Sequence, residues 1–267
     1  TEFLGDTIEK IAAEKAGIIK KSIPVVIGQG SEAYNAVFEQ RAEEMRSKVI
    51  YAEQEFLLEG IEHFDDRNQH FSVLRTRDNR AFELDIDLLG DYQRHNIITA
   101  CAAADFLAEQ TPLTISRRAF REGIARAAAN TGLMGRWQVI ADEPYTVCDT
   151  GHNADGIRFV ASQLESLNAD RIFAVMGFAK EKSLEKIMPL LPKKVHYIFT
   201  KANIDRARAI EDVAAFADTL GLDYECQPTV KDAVARARSL ALASDAIFIG
   251  GSNFVVAEVE GIATSEE

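Results

Sequence analysis

From about Met134 to the C-terminus, short apolar runs alternate with amphipathic stretches, and this rhythm constrains the fold more than any other feature of the sequence. "PYTVCD" reads as a strand and Gly156–Leu167 as a helix. "RIFAVMG" is followed by a helix over Leu184–Leu191, and "VHYIFT" by one over Ile210–Leu220. "LDYEC" precedes a helix over Val230–Ala241, and "DAIFIGG" precedes one beginning near Asn253. The strands are short, rich in β-branched and aromatic residues, and mostly apolar rather than alternating, which is the pattern of strands covered on both faces. Repeated βα units of this kind predict a mainly parallel sheet with right-handed crossovers, a Rossmann-like layered α/β domain.

The first half has a different texture. "IPVVIG" and "KVIYA" read as strands around a helix over "SEAYNAVFEQRAEEM". The segments around Phe71–Arg75 and Phe82–Ile86 alternate like strands with one wet face. "YQRHNIITACAAADFLAEQ" predicts a long helix, and Ser116–Ala129 predicts another with Ser116 as N-cap. The change of rhythm places a domain boundary at 133/134, giving domains 1–133 and 134–267. Near the start, Asp6 with Glu9 fits a capping box and Gly17 a helix stop, so Thr7–Ala16 is predicted helical. Ile8, Ile11, Ala12 and Lys15 then share a face. Two readings of Lys15 stay open on spacing alone. One is a rim lysine extending to water; the other is a partly buried, chemically modifiable amine.

The 267 residues suffice for one large domain or two ordinary ones, and 47% hydrophobic content argues against disorder. A formal charge of −12 disfavours a general nucleic-acid or anionic-membrane binder. Arg117, Arg118 and Arg121 form a local basic cluster at helical spacing, read as a solvated face. Cys101, Cys148 and Cys226 are odd in number and widely spaced, against a disulfide framework or a zinc finger, and suit a reducing compartment. With no bilayer-length apolar run and no secretory leader, the expected setting is cytoplasmic.

Ligands of doubly wound domains collect at the carboxyl ends of the strands. "VCDTGHNADG" lies at such an end and brings together Asp149, His152 and Asn153, an acid, an imidazole and an amide suited to a polar ligand. An N-capped βα turn is the competing reading. Thr150 and Gly151 read as flexible rather than specific. "VMGFAKEKS" offers Gly177, Lys180 and Lys182, and "FIGGSNF" a glycine-rich turn into a helix. The chain contains no G-x-x-x-x-G-K-[ST] phosphate loop, no G-x-S-x-G elbow and no H-E-x-x-H helix.

Five segments in order, "LGDTIEKIAAEKAGIIKKSIPVVIG", "LLGDYQRHNIITACAA", "GLMGRWQVI", "VCDTGHNADG" and "GGSNFVVAEV", resemble the folylpolyglutamate synthase/dihydrofolate synthase family of the Mur-ligase superfamily. Ala154 and Met134 stand where the family usually carries proline. The resemblance covers essentially the whole chain but about the last two thirds of a family member. It implies the remainder of a central ATPase domain followed by a glutamate ligase domain, with the phosphate loop and metal-ligating residues upstream. The chain is therefore expected to be a fragment that does not turn over alone. The implied reaction is ATP-dependent: a carboxylate is phosphorylated to an acyl phosphate, and the amino group of L-glutamate displaces phosphate. Dihydropteroate or a reduced folate is the implied acceptor of glutamate, and ATP and Mg2+ the implied cofactors.

Residue by residue, the resemblance implies that Lys15 is the lysine carbamylated by CO2 that helps organise Mg2+. Asn96 is the implied adenine contact, and Arg136 the arginine that reaches nucleotide phosphates. Asp149 is the implied nucleotide-binding aspartate, and His152 the histidine facing the reaction centre. Ser252 is an expected glutamate contact. A monomer is expected, with small-molecule partners and neither nucleic acid nor membrane. Two rival readings are another Mur-type amide ligase, such as one building a peptidoglycan precursor, and a non-catalytic nucleotide-binding module.

Overall fold

A computed structural model describes residues 7–65 and 67–259. The chain divides into two compact units. One comprises residues up to Asp87 together with Tyr92–Ala127; the other comprises Leu88–Asp91 together with the chain from Ala128 onward.

The first unit opens with α1 (Ile8–Ala16), whose N-cap is Thr7: its hydroxyl accepts from Lys10 N–H at 3.3 Å. Asp6, expected to cap this helix, lies outside the described residues. Gly17 ends α1 in right-handed rather than left-handed geometry, with φ −57°. Strands β1 (Val25–Ile27) and β2 (Val49–Tyr51) pair in parallel and are linked by α2 (Asn35–Glu44), a βαβ step in miniature. The short α3 (Ala52–Glu55) leads into an antiparallel sheet of β3 (Phe56–Asp65), β4 (Asn68–Arg75) and β5 (Arg80–Ile86), in that order. Residues of β4 alternate between buried and half-buried, so one face packs while the other stays wet. The dry side includes Phe71, Val73 and Leu84, none more than 1% exposed. The long α4 (Gln93–Gln110) and α5 (Arg117–Ala125) complete the unit, and Ser116 caps α5 by accepting from Ala119 N–H at 3.0 Å. The expected helix to Ala129 is broken at Arg126, which leaves helical geometry at φ −129°, and α6 (Ala127–Thr131) follows.

The second unit is the predicted layered domain, a six-stranded sheet in the order β10-β9-β8-β11-β7-β6. Its strands are β6 (Arg136–Asp142), β7 (Tyr145–Asp149), β8 (Ile172–Met176), β9 (His196–Phe199), β10 (Tyr224–Cys226) and β11 (Ala246–Gly250). All neighbours are parallel except β6, an antiparallel edge strand absent from the sequence reading. Helices α7 (Ala154–Ser166), α8 (Leu184–Ile187), α9 (Ile210–Leu220), α10 (Val230–Leu240) and α11 (Asn253–Ala257) supply the crossovers and covers. The helix expected over Leu184–Leu191 stops early, because Pro189 lacks an N–H and the chain tightens into a 3-10 turn at Met188–Leu190.

Two hydrophobic layers sandwich this sheet. On one side Phe248 packs beside Trp137 (ring centroids 5.8 Å apart), with Ile157, Leu164, Tyr197 and Phe199. On the other, Ile247 and Ile249 meet Val230, Ala233 and Ala237 of α10. The buried Tyr197 hydroxyl is satisfied by donating to Pro192 O at 2.7 Å. The segment Leu88–Asp91 is held to this unit by the buried Gln163 of α7. Its amide donates to Leu89 O and its carbonyl accepts from Asp91 N–H, both at 3.0 Å.

Candidate functional site

The carboxyl ends of β7, β11 and β8 lie side by side, since Gly250 is in register with both Asp149 and Met176. They approach so closely that a Cβ on Gly250 would sit 2.5 Å from the Asp149 carbonyl oxygen. This is the crest of the sheet on which ligands of such folds collect.

Asp149 ends β7 with its side chain fully buried. Oδ2 accepts from Trp137 N–H at 2.8 Å and Oδ1 from Gly151 N–H at 2.6 Å. The carboxylate thus ties the start of β6 to the loop after β7. Trp137 adopts a left-handed backbone, φ +55°, and that N–H–carboxylate bond holds it there. Gly135, two residues earlier, has φ +68°, and a Cβ on it would approach Thr150 Cγ2 to 2.6 Å, so both conformation and space call for glycine.

Arg136 opens β6 opposite Asp149 in the antiparallel register. Its Nη1 donates to Thr150 Oγ1, which donates in turn to Gly135 O at 3.0 Å, while Arg136 O accepts from Leu89 N–H at 3.1 Å. Thr150 and Gly151, expected to add only flexibility, are the residues that hold the arginine and engage the aspartate. Gln138, not singled out by the sequence reading, accepts from Gly135 N–H at 2.9 Å. Its signal was present in the spacing: β6 follows a glycine turn, and a polar side chain two residues into an apolar edge strand is placed to turn back on it.

His152 is half-buried, and its Nδ1 lies 2.9 Å from Thr150 O. A carbonyl can only accept, so Nδ1 carries the proton and Nε2 is left to a ligand or to water. Asn153 is the N-cap of α7, its Oδ1 accepting from Gly156 N–H at 2.7 Å, which is the capped-turn reading of this residue. Ala154 is the first helical residue, where proline is also tolerated because the N–H has no intrahelical partner. Ser252 is buried and caps α11, accepting from Phe254 N–H at 3.2 Å. Burial pushes the Cys148 thiol up to about 12, so beside this loop it is a core side chain rather than a nucleophile.

In the first unit, Asn96 is exposed in the first turn of α4, where its Nδ2 donates to Gln93 Oε1 at 2.8 Å. Lys15 lies in the last turn of α1 and is exposed. The buried stripe of that helix is Ala12 and Ala16, continued by Ile19, rather than the face through Ile8 and Lys15. The partly buried alternative for Lys15 is thereby corrected. Three small or apolar residues at i, i+4 and i+7 pack better than a face that includes a lysine. Among the described residues, no three His, Cys, Asp or Glu side chains gather as a metal site, and no helix is long and apolar enough to cross a membrane.

A parallel sheet with an antiparallel edge, an arginine braced at its crest and an Asp-Thr-Gly-His-Asn loop define a class: residues 135–253 match the Mur ligase, glutamate ligase domain. Along nearly its whole length the chain is similar to the folylpolyglutamate synthase/dihydrofolate synthase family of those ligases. A protein of Haloferax volcanii named as a probable bifunctional folylpolyglutamate synthase/dihydropteroate synthase is 29% identical over 97% of this chain and 30% of its own length. The dihydrofolate synthase/folylpolyglutamate synthase of Bacillus subtilis is 26% identical over 96% of this chain and 58% of its own. The fold of Mycobacterium tuberculosis folylpolyglutamate synthase complexed with ADP matches with a TM-score of 0.80 at 22% identity, covering 96% of this chain and 59% of that one. The chain thus spans less than two thirds of the length of each of these proteins.

Proposed function

We propose that the protein works as an ATP-dependent ligase that joins L-glutamate to dihydropteroate, to folyl-(poly)glutamate, or to both. The observation that carries this reading is the braced Arg136. Thr150 Oγ1 occupies one Nη of the guanidinium, leaving the other donors of the fork for an anionic oxygen, a geometry lysine lacks. In this reading the arginine receives nucleotide phosphate, the buried Asp149 fixes the loop against which the nucleotide lies rather than touching it, and His152 presents Nε2 to the reacting groups. Asn96 contacts adenine and Ser252 contacts glutamate. ATP supplies the phosphoryl group that turns an unreactive carboxylate into an acyl phosphate, whose leaving group an amine can displace. Charge stabilisation by preorganised donors is the protein's part in such a transfer.

The residues fit the two implied groups unequally. Arg136 with its supporting loop suits a phosphate. For Mg2+, the described residues supply Lys15 alone, and only as its carbamate. The exposed amine of Lys15 is open to CO2. We further assign residues 1–133 to the nucleotide-binding domain and 134–267 to the glutamate ligase domain, in a cytoplasmic monomer.

The test is phosphate release with ATP and L-glutamate in the presence of dihydropteroate, a reduced folate, or a UDP-muramyl peptide, measured on a version that carries a phosphate loop, since these 267 residues contain none and are expected not to turn over alone. Glutamate-dependent release with either pterin compound is the expected result. Release with the muramyl peptide alone overturns the folate reading, and nucleotide binding without release in any of the three assigns a binding module.

A further inference from the structure

The first unit contains a cavity of about 370 Å³ that the ligase reading leaves without a role. Its walls come from the start of β3, the end of β4, the start of β5, and from α4 and α5. Phe56, Phe82 and Phe120 line it, with Phe56 and Phe82 meeting edge to face at a centroid distance of 6.3 Å. Cys101, Ala104 and Ala108 of α4 present small side chains to it, which is why space remains between helix and sheet.

The charge of this lining runs against that of the molecule. Four arginines, Arg75, Arg80, Arg117 and Arg121, face one carboxylate, Asp105, in a chain whose net charge is −12. Asp105 is already shared between Arg75 and Arg77, at 3.0 Å from each. Among the described residues, Arg80 has one distant carboxylate partner, Asp78 at 3.8 Å. On α5 the contrast is internal. Arg118, off the cavity, pairs with Glu122 at 2.7 Å, whereas Arg117 and Arg121, one turn apart on the lining, pair with no carboxylate among the described residues. Two guanidinium forks one helical turn apart and three aromatic rings on one lining combine charge-assisted recognition of an oxyanion with an apolar surface. The volume lies in the range of small-molecule sites.

We propose that this cavity binds a small aromatic anion, its ring against Phe56, Phe82 and Phe120 and its carboxylate or phosphate on Arg117 and Arg121. The site stands independently of the ligase reading. It also gives the basic cluster of α5 a purpose that a solvated face does not.

The 267-residue chain is titrated with 2-naphthoate, 2-naphthyl phosphate and neutral 2-naphthalenemethanol, with amide shifts followed by NMR. Saturable shifts at Ala104, Ser116 and Phe120 are expected with both anions, and whichever anion binds tighter identifies the preferred head group. The neutral alcohol and the Arg117→Gln/Arg121→Gln variant are each expected to weaken binding about tenfold, the loss of a charge-assisted pair. Both arginines are exposed, so the variant tests binding rather than folding, and unchanged far-UV circular dichroism verifies this. Ala108→Trp, at an exposed position on the lining, blocks the cavity from the other side. Equal affinity for the alcohol, indifference to the glutamines, or shifts confined to other residues overturns the proposal.

Discussion

Ile247 and Phe248 of β11 point to opposite faces of the six-stranded sheet, and both are fully buried. Along β4 of the three-stranded sheet, by contrast, Phe71 and Val73 are buried while His70 before them and Arg75 beyond them meet charged partners near water. One sheet is held by apolar burial on two sides. The other is held by burial on one side and ion pairs at its margins: Arg75 reaches Asp78 and Asp105, and His70 reaches Glu83 and Asp85. The difference teaches where each unit is vulnerable. Volume changes should damage the second unit, and salt and pH should register in the first.

Four experiments press on that contrast, and the protein carries a convenient probe. Trp137 is its single tryptophan, buried against Phe248, so its fluorescence reports the second unit alone. The largest effect is expected from Phe248→Ala, which empties the centre of one layer and costs about 3–5 kcal/mol. Denaturant unfolding followed at Trp137 measures it; a cost below that of an exposed substitution would refute the two-sided core. Next is Asp149→Ala, which leaves the N–H groups of Trp137 and Gly151 without their acceptor, at about 2–3 kcal/mol. The same unfolding curve, with nucleotide affinity measured alongside, checks it.

Arg75→Met in the first unit should cost about 1 kcal/mol, since the arginine is mostly covered but its partners are partly solvated. Added salt should shrink this cost in hydrogen-exchange measurements while leaving that of Phe248→Ala unchanged. The smallest effect comes from His70. Its hydrogen bond to Asp85 raises the imidazole above its ordinary range, opposed by partial burial and assisted by the charges of Glu83 and Asp85. A raised folded value means that the contribution is complete below the unfolded value of about 6.5 and fades as pH rises through the folded one. For a pair this exposed it amounts to about 0.5 kcal/mol. His70→Gln should abolish that slope in first-unit stability between pH 6 and 8; a slope that survives would place its origin elsewhere.

The inner parallel strands of the second unit were legible because each is a short, mostly apolar run, the edge strand β10 with its Glu225 less so, and the crossover helices because their periodicity is clean. The two strands missing from the sequence reading, β3 and β6, share a cause. Both carry register irregularities, between Leu58 and Gly60 and between His63 and Asp65 in β3, and between Arg136 and Gln138 and between Val139 and Ala141 in β6. Each bulge inserts a residue and flips the two-residue period, so the pattern that reveals a strand cancels itself. The site loop was half legible. Asp149 and His152 announce themselves by chemistry and Asn153 by its place before a helix. The work of Thr150 lies in a bond to an arginine fourteen residues earlier, which strand pairing creates and local sequence cannot express. The face of α1 was misjudged because Ile8 drew the stripe toward Lys15, whereas two alanines allowed closer approach of their own side of the helix.

The grip of Gln163 on Leu89 and Asp91 has a practical corollary for anyone wishing to isolate the second unit. That unit is discontinuous along the chain, with a four-residue strap borrowed from between Asp87 and Tyr92. A single protease cut or a cloned fragment beginning near residue 128 would leave the strap behind. It would strip both partners from a buried amide and uncover the half-apolar wall beneath Leu89. A faithful excision has to carry the strap with it, for instance by joining a Leu88–Asp91 segment to the new N-terminus through a flexible linker.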